Sequence, residues 1–140
     1  MAFNGKLVEV KIGANYSTFP TSLIKAESYK VTPNQRMESS AARAASGLLK
    51  RTTCSHTASK IDFNTIIMTN RDIATIHNLL SSAYTSALER KLSLRYYDPS
   101  SDSYSTGDFY VPDVDYNILR IDKDTNTIYY DSVRFAFIEY

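Results

Sequence analysis

Cys54 and His56 lie two residues apart on a segment of strand character, so both side chains would point the same way and the imidazole would sit where it could draw off the thiol proton. A working nucleophile needs more than that pair. No third group is identifiable to orient the histidine, and no Gly-rich turn supplies donors for an oxyanion. A buried small cysteine beside a surface histidine is the ordinary arrangement. Metal chemistry meets a similar obstacle: His77 falls on a predicted helix with no ligand at a matching step, and two histidines and one cysteine do not fill a zinc site. Asp98, Asp102 and Asp108 gather in one loop as calcium ligands would, yet the run lacks the central glycine and closing glutamate of an EF-hand, and a solvated hairpin tip accounts for it. The eleven tyrosines, including Tyr96, Tyr97, Tyr110, Tyr116, Tyr129, Tyr130 and Tyr140, would suit base or sugar stacking. With no basic groove beside them, a sheet face or a subunit contact explains them better. The expectation is a protein that packs and assembles, with no catalytic residues, no cofactor and no metal.

The elements that must carry these residues are mostly strands. Leu7 to Ile12 reads as a strand closed by the Gly13-Ala-Asn15 turn, and Leu23 to Val31 as a second after Pro20. Thr32 to Gly47 changes character: it is small and polar, carries Arg36 and Arg43, and has little to bury. Its alanines permit a helix over 38–46, but without an apolar stripe the preferred reading is a flexible arm or long loop over 32–47. Leu48 to Cys54 and Thr57 to Met68 resume strand character, with Ser59, Ile61 and Phe63 on one face and Lys60, Asp62 and Asn64 on the other.

Thr69 with Asp72 three residues on marks a helix start, and Ile73, Ile76, Leu80, Ala83 and Ala87 recur at helical steps, so a helix is predicted over 69–88. Leu92 to Tyr97 should pair with Asp108 to Val111 across a turn-rich 98–107, and Tyr116 to Ile121 with Thr127 to Tyr140 across Lys123 to Asn126. The apolar run Phe135 to Tyr140 belongs inside a sheet. The predicted class is α+β: mainly antiparallel sheets forming a barrel or sandwich, with one flanking α-helix, in a single domain over 1–140.

A chain of 140 residues can bury about 70% of its unfolded surface without metal or disulfide, and its 43% hydrophobic content with four glycines argues against wholesale disorder. The single cysteine and the absence of a signal-like start or a spanning apolar run fit synthesis in a reducing cytosol. A net charge of +1 does not suit an electrostatic nucleic-acid binder. The charge is uneven, however: residues 1–60 hold nine Lys or Arg against three acids, and 61–140 hold seven against twelve. If the two halves occupy different faces, the molecule is a dipole suited to head-to-tail contacts; if their strands interleave, the asymmetry cancels.

Ser28-Tyr-Lys-Val-Thr-Pro-Asn-Gln-Arg36, Leu49-Lys-Arg-Thr-Thr53, His56 to Thr65, Gly107-Asp-Phe-Tyr-Val-Pro-Asp113 and Val133 to Tyr140 together resemble a family of small tail proteins of long-tailed bacteriophages and prophages of Gram-positive hosts. The strand-strand-helix-strand order is similar to the fold of tail-tube, distal-tail and baseplate-hub proteins. The resemblance implies a structural subunit of a virion tail, made in the host cytoplasm, that forms a ring, commonly hexameric. It implies other tail proteins as partners, DNA only as a transient passenger in the channel, and no membrane. It supplies no catalytic residue. Arg36, Arg43, Lys50 and Arg51 are the candidate contacts to a neighbouring subunit. The other function class is a peripheral baseplate accessory that binds a host receptor or carbohydrate, with the tyrosines and the acidic loop as its surface.

Overall fold

The computed structural model describes the backbone of residues 3–140, and the side chains of that range except those of 36–41 and 50–56. The chain opens with a hairpin of the predicted first strand, β1 (Val8–Ile12), and β2 (Asn15–Thr18), a strand the sequence did not predict in place of the expected partner Leu23 to Val31, turning at Gly13 with φ 62°. Val8 and Val10 are fully buried. Leu23 to Tyr29, expected as a strand, instead forms two 3-10 turns, Thr21–Leu23 and Ala26–Ser28. Ser28 Oγ donates to Lys25 O at 2.6 Å and accepts from Asn64 N at 2.9 Å, so a side chain takes the bonds a ladder would have used.

Residues 32–47, read as an arm or loop, are an arm of another construction. β3 (Lys30–Arg43) and β4 (Leu49–Asn64) form one long antiparallel hairpin, with neither a helix over 38–46 nor a break between Cys54 and Thr57. The predicted faces of β4 hold: Ser59, Ile61 and Phe63 are buried while Asn64 is exposed.

After the two-residue strand β5 (Met68–Thr69) comes the single described α-helix, α1 (Asn70–Ala83). Its start is the predicted capping box: Thr69 Oγ1 accepts from Asp72 N at 3.4 Å and Asp72 Oδ2 accepts from Thr69 N at 3.2 Å. The helix stops at Ala83, five residues before its predicted end, because the chain is taken up by a turn bridging Ser86 and Lys91, with Arg90 at φ 52°. Beyond Leu80 only alanines marked the periodicity, and Leu88 is 96% exposed.

β6 (Lys91–Asp98) and β7 (Ser103–Tyr110) are the predicted pair, with the turn confined to 99–102. β6 alternates strictly, burying Leu92, Leu94, Tyr96 and Asp98. β8 (Ile118–Asp122) and β9 (Thr127–Tyr130) pair across Lys123 to Asn126 as expected, but β10 (Arg134–Glu139) leaves them for the other sheet. Thr65 fixes that crossing: its Oγ1 accepts from Val133 N at 3.0 Å and its N–H donates to Val133 O at 2.9 Å.

The strands make a seven-stranded sheet, β2-β1-β6-β7-β10-β4-β3, and a three-stranded sheet, β5-β9-β8. Both are antiparallel throughout. The large sheet is open, with β2 and β3 as its edges, which removes the barrel alternative and leaves a sandwich-like layering. Helix α1 packs on β1 and β6 of the large sheet and on β5 and β9 of the small one.

Between them lies a core in which Phe19, Phe63 and Phe135 meet with ring centroids 5.2–6.0 Å apart, and Phe137 stands 6.2 Å from Phe63. On the outer side, Glu9 faces Arg95 directly across β1 and β6. Arg95 Nε donates to Glu9 Oε2 at 2.6 Å, and its guanidinium lies 4.3 Å from the Tyr16 ring centre. Glu9 is 1% exposed, and the bond to Arg95 lowers its carboxyl below the usual range.

Phe137→Ala should cost about 3–5 kcal/mol in a denaturant titration, and removal of 135–140 should abolish soluble expression. Because the folded pKa of Glu9 is depressed, its stabilisation is complete above the unfolded value of about 4.3 and is lost as pH falls through the lower folded value. Glu9→Gln should therefore lower stability at neutral pH by about 1–3 kcal/mol and flatten the acid limb of the stability curve below about pH 4.

Candidate assembly surface

β10 pairs with β4 only from Lys60 to Asn64, whereas β3 stays with β4 out to the Arg43↔Leu49 pair. Past Lys60, the described sheet partner of β4 is β3 alone, and at about 3.3 Å per residue the hairpin reaches roughly 30 Å further along the strands. The tip is a tight turn, with Ala44 N donating to Leu48 O and Gly47 N to Ala44 O, both at 2.8 Å, and Gly47 at φ 87°. Leu48 is 66% and Leu49 43% exposed.

Of the four candidate contact residues, Arg43, Lys50 and Arg51 come together near this tip, in the backbone pairs Arg43↔Leu49, Ala42↔Lys50 and Ala41↔Arg51. Arg36 lies apart, opposite Thr57, towards the root. Arg43 is exposed and its Nη1 donates to Gly47 O at 3.0 Å, so it also fastens the turn. The side chains of Arg36, Lys50 and Arg51 lie outside the described residues, as do those of Cys54 and His56.

Sequence reading passed over the root of the arm. There the β3–β4 register shifts between Thr32 and Gln35, and Asn34 takes a left-handed φ of 49° that Asn tolerates. Asn34 N donates to Ser59 Oγ at 3.0 Å, and Ser59 N donates to Glu139 Oε1 at 2.9 Å. Glu139 from β10 thus ties the departing hairpin to the sheet. A Cβ at Gly107 would stand 2.5 Å from Glu139 Oε2, so the missing side chain leaves that carboxylate its place.

Also missed was β8. Ile118, Leu119 and Ile121 are 56%, 49% and 58% exposed on a strand that pairs with β9 on one side only. Apolar residues at both odd and even positions of a five-residue strand were the available signal, since one sheet face cannot bury both.

The other sequence candidates are spent on local bonds. Asp98 Oδ1 accepts from Ser100 Oγ, Asp102 Oδ1 from Tyr97 OH and Asp108 Oδ1 from Ser93 Oγ, at 2.7, 2.7 and 2.9 Å. Among the described residues, no group of three His, Cys, Asp or Glu is arranged to hold a metal ion. No described helix is long and apolar enough to cross a membrane. His77 stands on the exposed side of α1, its Nε2 3.5 Å from Ser81 Oγ. It borders a groove of about 410 Å³ lined mainly by Ile76, Leu80, Tyr84, Val111 and Phe135.

An open antiparallel sheet with one helix and a long unsupported hairpin defines the architecture, and comparison with known proteins agrees with it. The chain belongs to a family described as a family of unknown function (DUF6711), which matches residues 1–140. No curated protein matches the sequence. A solved structure described as "Tail of empty GTA particle computed with helical refinement, C6 symmetry" contains a chain with a similar fold, at a TM-score of 0.54 and 10% identity, with 99% of this chain and 95% of that chain covered.

Breaking the root should show in both stability and exchange. Glu139→Ala leaves the buried Ser59 N–H without its acceptor and should cost about 1–3 kcal/mol, with faster hydrogen exchange at Ser59. Gly107→Ala should have the same sign, because it displaces the same carboxylate.

Proposed function

We propose that this protein is a structural subunit of a phage-type tail, in the tube or in a distal-tail or baseplate ring, and that it assembles into a closed ring around a DNA channel. The observation that carries the reading is the β3–β4 hairpin, which continues well past its last sheet partner with exposed leucines and basic residues at its end. A lone two-stranded ribbon gains little stability by itself, and its unpaired edges invite another chain. The likeness in fold to a chain from a tail of C6 symmetry supports the same reading and favours a hexamer. A heterologous contact, in which the arm meets a different surface of the next copy, closes into a ring when the rotation allows.

Chemistry has no part in this role: the subunit contributes shape, sheet edges and charge. Strands of the two halves interleave in the large sheet, so the overall charge asymmetry does not divide the molecule into two faces, but residues 36–51, with four basic residues against Glu38, keep a local basic excess that gives such contacts a direction.

Light scattering over a wide concentration range tests the proposal. A discrete multiple of the subunit mass is expected, dissociating as salt is raised. A strict monomer at high concentration and low salt would reject self-assembly and favour the accessory module, for which the groove beside α1 would be the first place to look for a bound ligand.

A further inference from the structure

The free edges of the two sheets are not alike. β2 is a four-residue polar strand, Asn15–Thr18, and β5 has only two residues. Short or polar edges of this kind are the usual protection against unwanted pairing. β8 has neither property. It presents Ile118, Leu119 and Ile121 to solvent within five residues, beside a bulge between Ile118 and Arg120 and close to Tyr116, itself 44% exposed. An apolar edge of this kind marks a contact with another chain.

The charge around β8 says which chain. Residues 113–131 hold five aspartates against Arg120 and Lys123. Asp113 is engaged by Arg90, and Asp122 accepts the Asp124 and Thr125 N–H groups of the β8–β9 turn. Arg120 lies over the Tyr129 ring, 4.0 Å from its centre. Asp115 and Asp124 are exposed, so the surroundings of the apolar edge are acidic. The arm has the opposite composition: residues 36–51 hold Arg36, Arg43, Lys50 and Arg51 against Glu38 alone, with Leu48 and Leu49 exposed at the tip. Each surface offers exposed apolar residues and an unsatisfied strand edge, with charges of opposite sign.

We propose that the occupant of the β8 edge is the β3–β4 arm tip of a second copy of this chain. Leu48 and Leu49 would meet Ile118, Leu119 and Ile121, with the basic end of the arm set in the acidic surroundings of that edge. The contact is heterologous, since each copy gives an arm and receives one. It rests on the reading of the chain as a self-assembling subunit and specifies which two surfaces meet.

The test is a charge swap on the intact chain. One variant carries Lys50→Glu and Arg51→Glu, with Arg43 retained because it holds the tip turn. The other carries Asp115→Lys and Asp124→Lys, with Asp122 retained for the β8–β9 turn. Each variant alone should remain at subunit mass by light scattering, because its arm and its own β8 surface then carry like charge. An equimolar mixture should restore assembly, each arm now facing a complementary edge, and that recovery also shows that both variants fold. In addition, a photo-crosslinking residue in place of Leu119 in the wild-type background should capture a peptide within 43–51 of another copy.

Assembly of either variant alone to the wild-type mass, failure of the mixture to recover, or capture of a different segment would overturn this docking while leaving the ring reading intact. A wild-type chain that stays monomeric and yields no intermolecular cross-link would overturn both.

Discussion

Everything in this molecule hangs on an aromatic contact between elements far apart in sequence. Phe19, just past β2, Phe63 on β4 and Phe135 on β10 meet edge to face or tilted, with Phe137 beside Phe63, and all four are at most 1% exposed. That cluster draws β10 into the place between β7 and β4. Without β10 the large sheet is two fragments, β2-β1-β6-β7 and β4-β3, and the long hairpin has no sheet to stand on. The arm can be long because its inner end is held by one of the best-packed strands of the domain.

The root and the tip of the hairpin do different physical work. At the root, part-buried hydrogen bonds run from Asn34 through the buried Ser59 to Glu139, where a lost acceptor leaves the Ser59 N–H unpaired. At the tip, Arg43 closes a turn around Gly47 while Leu48 and Leu49 remain in solvent. Side-chain hydrogen bonding is concentrated where the arm begins and exposed apolar surface where it ends. The small sheet repeats that division. Thr65 pins the crossing to the large sheet with two bonds to Val133, while the outermost strand β8 leaves apolar residues uncovered.

Much of this was legible in the sequence. The Thr69–Asp72 box, the alternation of β6, the two faces of β4 and the burial of Phe135 and Phe137 follow from periods of 2 and 3.6 and from the chemistry of one cap. What escaped was decided by partners distant in the chain. The Ala-rich run from Glu38 to Ser46 has no periodicity of its own, and as far as Arg43 it is a strand because β4 lies beside it. Ser28 diverted a strand signal into 3-10 turns with a bond to Asn64, thirty-six residues away. β9 and β10 look continuous from Thr127 to Tyr140, and only the Thr65 contacts reveal that they belong to different sheets. For the candidate surface, the basic residues were visible as composition, but the hairpin that groups Arg43, Lys50 and Arg51 and separates Arg36 was not.

The central position of β10 also fixes an order of events during biosynthesis. Its two neighbours, β4 and β7, are translated well before it, so the growing chain carries two sheet fragments with facing, unsatisfied edges until residues 134–139 clear the ribosome. Such edges pair readily with the wrong chain, and closing the gap on the β4 side requires contacts between residues seventy or more positions apart, a topology that folds slowly. A chain within that interval leaves both edges open to other chains, which gives a chaperone a defined window in which to act.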